Sequence, residues 1–155
     1  MRRKDREICD IQEILKIVDH CKVCRIGLCD EGKVYIVPVN FGYQFRNEKL
    51  VLYMHGAKAG YKYEVMEKNP QVGFEMDCEH ELLEAEAACG YGYCFASIIG
   101  NGVAELVTDM EEKKEALALL MRQQTGKDFS FGEKEADSVT VWKVTSETFT
   151  AKQRK

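Results

Sequence analysis

His55-Gly56-Ala57-Lys58-Ala59-Gly60, followed by Lys62, brings an imidazole, two glycines and two lysines into eight residues. If a helix starts inside this stretch, its first backbone amides are free and both ammonium groups stand one turn apart beside them, which suits a phosphate or another anion. The plainer alternative is a glycine turn flanked by solvated lysines, and residue types leave both open. His55 could donate to a ligand or carry a proton, although an isolated histidine more often does neither. His20 and His80 fall at a helix end and in an acidic stretch, where a surface role is the natural expectation. Cys21-Lys22-Val23-Cys24 has the spacing of half a zinc site or of a redox pair. No second Cys-x-x-Cys or histidine pair follows, and a thioredoxin-like use needs the strand before the motif and the helix after it, the reverse of the order read here. These cysteines, with Cys9, Cys29, Cys78, Cys89 and Cys94, are therefore expected to be structural thiols, and no metal is expected. Dinucleotide-fingerprint, phosphate-loop and nucleophile-elbow motifs are all missing, which removes Rossmann, P-loop and α/β-hydrolase readings.

The chain that must position these groups has 155 residues, 45% hydrophobic and 31% charged, enough for a real core in one domain spanning 1–155. No repeat or low-complexity tract interrupts it. Met1 to Glu7 is charged and no long apolar run follows, so neither a secretory signal nor a membrane span is expected. Seven cysteines without an export signal fit a reducing, cytoplasmic setting. A formal net charge of −4 argues against nucleic acid as a partner while leaving room for a local phosphate pocket. The basic clusters Arg2-Arg3-Lys4 and Lys152-Gln153-Arg154-Lys155 read as solvated tails.

Asp10, with Glu13 three residues on, caps a helix over Ile11 to His20 whose buried stripe is Ile11, Ile14, Leu15 and Val18. Strands are expected at Val23 to Cys29, at Val34 to Tyr43 after a turn over Asp30 to Lys33, and at Leu50 to Met54 after a turn at Arg46-Asn47-Glu48. Lys58 to Lys68 then reads as a helix ended by Asn69-Pro70. Val72 to Asp77 is a further strand, and the acidic Cys78 to Ala88 an excursion in loop or helical turn. Strand pattern returns from Tyr93 to Val107, broken at Gly100-Asn101-Gly102 by a bulge or a close approach. Thr108 and Glu111 would cap a helix carrying Leu117, Leu120 and Met121 and ending at Gly126, and Val139 to Phe149 is the last strand. Strands in meander with helices inserted irregularly make an antiparallel barrel, mainly β with α, rather than a doubly wound sheet.

Five segments in this order carry a resemblance: the charged Met1 to Glu7; Tyr35-Ile36-Val37-Pro38-Val39-Asn40-Phe41-Gly42-Tyr43; Leu52 to Lys62; Lys68 to Glu75; and Ser97-Ile98-Ile99-Gly100-Asn101-Gly102. Together they resemble the pyridoxamine 5′-phosphate oxidase-like split barrels, in particular the 5-nitroimidazole-resistance branch, over nearly the whole chain. The resemblance implies an α+β split antiparallel barrel of about six to seven strands with three helices. It further implies a homodimer with FMN between the subunits, haem or another flavin being the lesser alternatives. Val37, Pro38, Val39, Asn40 and Phe41 would run along the ring system. Gly56, Lys58 and Lys62 would hold the phosphate, with His55 at the flavin or its substrate as the candidate catalytic group. Ser97 would bond the phosphate or ribityl chain, Ile99 would line the site, and Trp142 would approach the partner's cofactor. A flavin needs an apolar slot, backbone groups for its pyrimidine edge and cations for its phosphate, which these segments can offer.

Phe95 and Ala96 stand where many relatives have a tyrosine and a charged residue, and Tyr61 where a basic residue is common. The expected function is FMN-dependent oxidation and reduction between small-molecule donors and acceptors. The alternative is a flavin- or haem-binding module without turnover. Pyridoxamine phosphate oxidation is the weaker third choice, because Ser138 to Lys155 lacks the basic signature that substrate calls for.

Overall fold

The computed structural model describes residues 3–155; Met1 and Arg2, and with them part of the basic N-terminal cluster, lie outside the described residues. A 3-10 turn leads into β1 (Glu7–Ile8) and α1 (Ile11–His20). The Asp10 carboxylate accepts from the amides of Gln12 and Glu13 at 2.9 and 3.0 Å, satisfying two donors that a helix start leaves free. The other end of α1 is closed from across the molecule, where the buried Gln123 amide donates to the carbonyls of Val18 and Cys21, each at 2.8 Å. β2 (Cys24–Asp30) and β3 (Lys33–Val39) form a hairpin, and β4 (Gly42–Arg46) and β5 (Lys49–Gly56) form another. α2 (Tyr61–Lys68), β6 (Gln71–Leu83), β7 (Gly92–Leu106), α3 (Met110–Thr125), α4 (Glu133–Asp137) and β8 (Thr140–Arg154) complete the chain.

The sheet runs β3-β2-β6-β7-β8-β5-β4, with β1 added beside β8 and every pairing antiparallel. Its two edge strands, β3 and β4, are consecutive in the chain and do not pair, so the barrel is open along that seam. The α+β split-barrel architecture expected from the sequence is therefore present, with eight strands and four α-helices among the described residues rather than six to seven and three.

The expected single strand over Val34 to Tyr43 is divided because Gly42 lies against the backbone of Leu119 and Leu120 in α3, where no side chain fits. Phe41 is wholly buried beside it, and the chain bends across the seam there. α2 starts at Tyr61 rather than Lys58, since Gly60 has φ +151° and interrupts helical geometry. The acidic stretch after Asp77 continues β6 to Leu83, pairing with β7 from Gly92 as a projecting hairpin whose mostly exposed charges need no burial. Asp109, not Thr108, caps α3 by accepting from the Glu112 amide at 2.8 Å. The C-terminal cluster is strand rather than solvated tail: Lys152 stands over the Phe95 ring and Arg154 covers Gly92. The expected break at Gly100 to Gly102 is a register shift between Asn101 and Val103.

Inside the barrel Ile26, Leu28, Leu52, Met54, Met76, Ile98, Trp142 and Val144 are fully buried, and Ile14, Ile17 and Val18 of α1 pack against them. The other face of β5 and β8, at Val51, Tyr53 and Val141, is covered by Ala116 and Leu117 of α3 and Ala136 of α4. β5 is thus buried on both faces up to Met54 and emerges at His55. No helix is long and apolar enough to cross a membrane among the described residues.

Candidate functional site

β5 leaves the core at His55-Gly56, and four residues later Gly60 starts α2 without any side-chain cap. The amides of Tyr63 and Glu64 bond back to the Gly60 carbonyl, so those of Tyr61 and Lys62 have no partner within the helix. Lys62 is half-buried. Its Nζ lies 5.1 Å from the Tyr63 ring centre and 3.1 Å from where a side chain at Gly56 would begin, and burial pushes its pKa down. No carboxylate forms an ion pair with it among the described residues. The Tyr63 hydroxyl also occupies the space above Gly56, which is why glycine stands there. His55 is pulled below the ordinary imidazole value by partial burial and by the Lys62 ammonium, which repels a second positive charge. Lys58 is exposed and lies 3.7 Å from the Asp137 carboxylate, a loose surface pair.

Behind α2 is a cavity of about 320 Å³ lined by Lys58, Tyr63, Met66, Leu106, Thr140 and Trp142 among others, within the size range of small-molecule sites. Trp142 pairs with Met54 in the ladder, placing its indole in the interior next to the end of β5. The Trp142 Nε1 and Tyr63 Oη are buried and lack a hydrogen bond of good geometry, although they lie close enough to influence one another. Five of the residues expected at a site, His55, Gly56, Lys58, Lys62 and Trp142, therefore gather at one end of the β5–β8 pair.

The β3 run reaches this end through α2. The Tyr61 hydroxyl donates to Asp30 at 2.7 Å, and its ring packs edge-on against Tyr35 at 5.1 Å. Tyr61, which stands where a basic residue is common among relatives, ties the start of α2 to the β2–β3 hairpin. Val37 and Val39 are partly buried against the barrel core and Phe41 wholly so. Pro38 is exposed, and β3 offers a free backbone edge. The Asn40 amide is already spent, donating to the Lys22 carbonyl at 3.0 Å and to Gln124 Oε1 at 3.1 Å.

Ser97 and Ile99 are elsewhere, among the outward residues of β7. Ser97 pairs with Lys152 of β8 and His55 with Val141, eleven residues apart, or roughly 35 Å of strand. Around them the outer face carries exposed Val34 (74%), Ile36 (61%) and Ile99 (59%), and Arg25 bridging Glu75 and Asp77 at 3.0 and 2.5 Å. Sequence reading missed Tyr63 and this outer face. The unbroken apolar run Val34 to Val37 was its signal, because a strand wetted on one side alternates and this one does not.

Over residues 10–153 the chain matches the family model described as pyridoxamine 5′-phosphate oxidase, and the protein belongs to that family. Among solved structures it is similar to a protein of Bacteroides thetaiotaomicron provisionally assigned to 5-nitroimidazole antibiotic resistance, with 35% identity and TM-score 0.80 over 95% of this chain and 86% of that one. The flavocytochrome Anf3 of Azotobacter vinelandii (20%, TM-score 0.78, 100% and 72% of the two chains) shares the fold. So does the FAD and haem binding protein of Mycobacterium smegmatis (13%, TM-score 0.78, 97% and 74%). No curated protein sequence matches the chain.

Proposed function

We propose that the protein is a cytoplasmic FMN-dependent oxidoreductase that works as a homodimer, taking electrons from a reduced nicotinamide or similar donor and delivering them to a nitroaromatic or quinone-like acceptor. The observation that carries this reading is Lys62, a half-buried ammonium with no carboxylate paired to it among the described residues, beside two amides at the start of α2 that have no partner within the helix. A cation left in that position is costly by itself and is relieved by a bound anion. The buried Trp142 Nε1 and Tyr63 Oη, close to one another without a well-formed hydrogen bond, add polar atoms to the same largely apolar recess.

Bound flavin supplies the electron transfer, and the residues bind, orient and screen. Lys62 and the Tyr61 and Lys62 amides hold the phosphate. The free edge of β3 offers amides and carbonyls to the pyrimidine ring, with Pro38 as an apolar surface beside it. His55 at the mouth of the site is kept largely neutral near pH 7, so its imidazole can donate to an acceptor or return a proton to a reduced product. Ser97 and Ile99 serve a site only when a second copy brings its outer face to the α2 end of the first, and the exposed Val34, Ile36 and Ile99 favour such an association.

The test is to purify the protein, look for a yellow chromophore with flavin absorption, and assay nicotinamide-dependent reduction of a nitroimidazole. Turnover that falls in His55→Ala while FMN stays bound supports the proposal. A colourless protein indifferent to added FMN overturns it. A second reading, flavin or haem binding without turnover, is favoured by one detail: burial and Lys62 are the influences acting on His55, and no carboxylate orients it as a proton carrier. Bound flavin that dithionite reduces but reduced nicotinamide does not would select that reading.

A further inference from the structure

At the opposite end of α1 from its Asp10 cap, three side chains converge that the flavin reading does not use. His20 Nδ1, the Cys78 sulfur and the Glu79 carboxylate lie within 4.8 Å of one another, and the His20–Glu79 contact is 2.8 Å. Tetrahedral zinc with ligand bonds of about 2.0–2.3 Å needs its ligand atoms roughly 3.3–3.8 Å apart, and the sides of this triangle, from 2.8 Å to at most 4.8 Å, bracket that spacing.

The local backbone explains how the triangle exists. Consecutive residues of a strand point to opposite faces, so Cys78 and Glu79 could not share an ion in a regular β6. The ladder shifts register between Cys78 and Glu81, and Glu79 sits at φ +58°, in the left-handed region that a glutamate rarely occupies. The bulge swings Glu79 round to the Cys78 side, while α1 stops at His20 and presents the imidazole from across. Gln153 of β8 donates to the second Glu79 oxygen at 2.7 Å, the outer hydrogen bond that fixes a ligating carboxylate. The buried Cys21 thiol stands next to Cys78 without joining the triangle.

We propose that His20, Cys78 and Glu79 form a binding site for a divalent transition metal of the zinc class, with three protein ligands and an open fourth position. The nitrogen, thiolate and carboxylate set selects zinc or cobalt over calcium or magnesium, which take oxygen ligands. One thiolate and one carboxylate neutralise the ion's charge. The proposed site uses none of the residues given to the flavin, and it lies outside the paired Cys-x-x-Cys spacing on which the sequence expectation of no metal rested, since a bulge brings residues 20 and 78 together.

The test uses the full, untagged chain, reduced with a phosphine rather than a thiol and freed of metal. Titration with Co²⁺ is expected to saturate at one equivalent with a thiolate-to-cobalt absorption band and visible bands of tetrahedral intensity, and Zn²⁺ should displace them. Cys78→Ser should abolish the thiolate band, His20→Ala and Glu79→Gln should weaken binding, and Gln153→Ala should lower affinity by about tenfold or more. Cys9→Ser and Cys89→Ser, both exposed and outside the triangle, should bind as the unaltered chain does. Circular dichroism of each variant separates lost binding from lost folding. No thiolate band in the unaltered protein, or a band that survives in folded Cys78→Ser, overturns the proposal.

Discussion

The start of α2 and the outer face of β3, β2, β6 and β7 are opposites. The first is cationic, half-buried and short of partners: among the described residues no carboxylate pairs with Lys62, two amides have no partner within the helix, and Trp142 and Tyr63 hold polar atoms without a well-formed hydrogen bond. The second is broad and apolar at Val34, Ile36 and Ile99, and its one guanidinium, Arg25, is already held between the Glu75 and Asp77 carboxylates. One region has the groups to hold an anion without a wall to close over it; the other has the wall without the charge. Hydrogen bonding and apolar burial are unsatisfied in different places of one chain, and the proposed dimer would satisfy both with a second copy.

For the proposed dimer the largest effect comes from the apolar side. Ile99→Asp puts a charge into the apolar patch and should dissociate the dimer, a loss of about 2 kcal/mol or more as for a central interface residue, and should abolish FMN binding although Lys62 is untouched. Sedimentation with and without FMN measures both, and retention of FMN by a monomeric variant would separate the two regions. Lys62→Met attacks the other side: FMN affinity should fall about ten- to a hundredfold, the worth of a charge-assisted hydrogen bond at about 1.5–3 kcal/mol, with the dimer intact. Flavin fluorescence titration reads this.

Gly56→Ala sharpens the geometry of the junction. The added methyl meets the Tyr63 hydroxyl and Lys62 Nζ, two side-chain tips that must move aside, so the variant should lose about 1 kcal/mol of stability in thermal unfolding, with the outer face unaffected. The smallest effect is electrostatic. The folded state holds the His55 proton less tightly than the unfolded chain, so this residue's contribution makes the protein less stable as pH falls from above the ordinary value near 6.5 through the lowered folded one. His55→Gln should flatten that part of the stability profile. Lys62→Met should move the His55 midpoint up in an NMR titration, and an unmoved midpoint would mean that the two groups do not face each other.

Much of the junction was legible in sequence, because glycine, histidine and lysine there act through local backbone. A strand that must stop, a helix that must start and cations one turn apart are all short-range facts. Even so, the helix starts three residues late, at Tyr61, because the conformation of Gly60 overrides the favourable pattern of Lys58. The division of Val34 to Tyr43 at Gly42 was not legible, since its cause is the backbone of α3, nearly eighty residues away. Extension of β6 past Asp77 was missed for a related reason: Glu79-His80-Glu81 is polar, and a two-stranded arm open to water needs no apolar face. The distance between Ser97 and His55 is a matter of strand register, which no local pattern encodes.

The central claim is that one flavin site is built by two copies of the chain, and sedimentation velocity followed at a flavin absorption wavelength tests it directly. The account predicts that flavin absorbance travels with a species of twice the 17.7 kDa chain mass, at up to one flavin per chain, and leaves that species when Ile99 is replaced by Asp. Flavin absorbance travelling with a 17.7 kDa monomer, or remaining free while the protein sediments without it, would contradict the account.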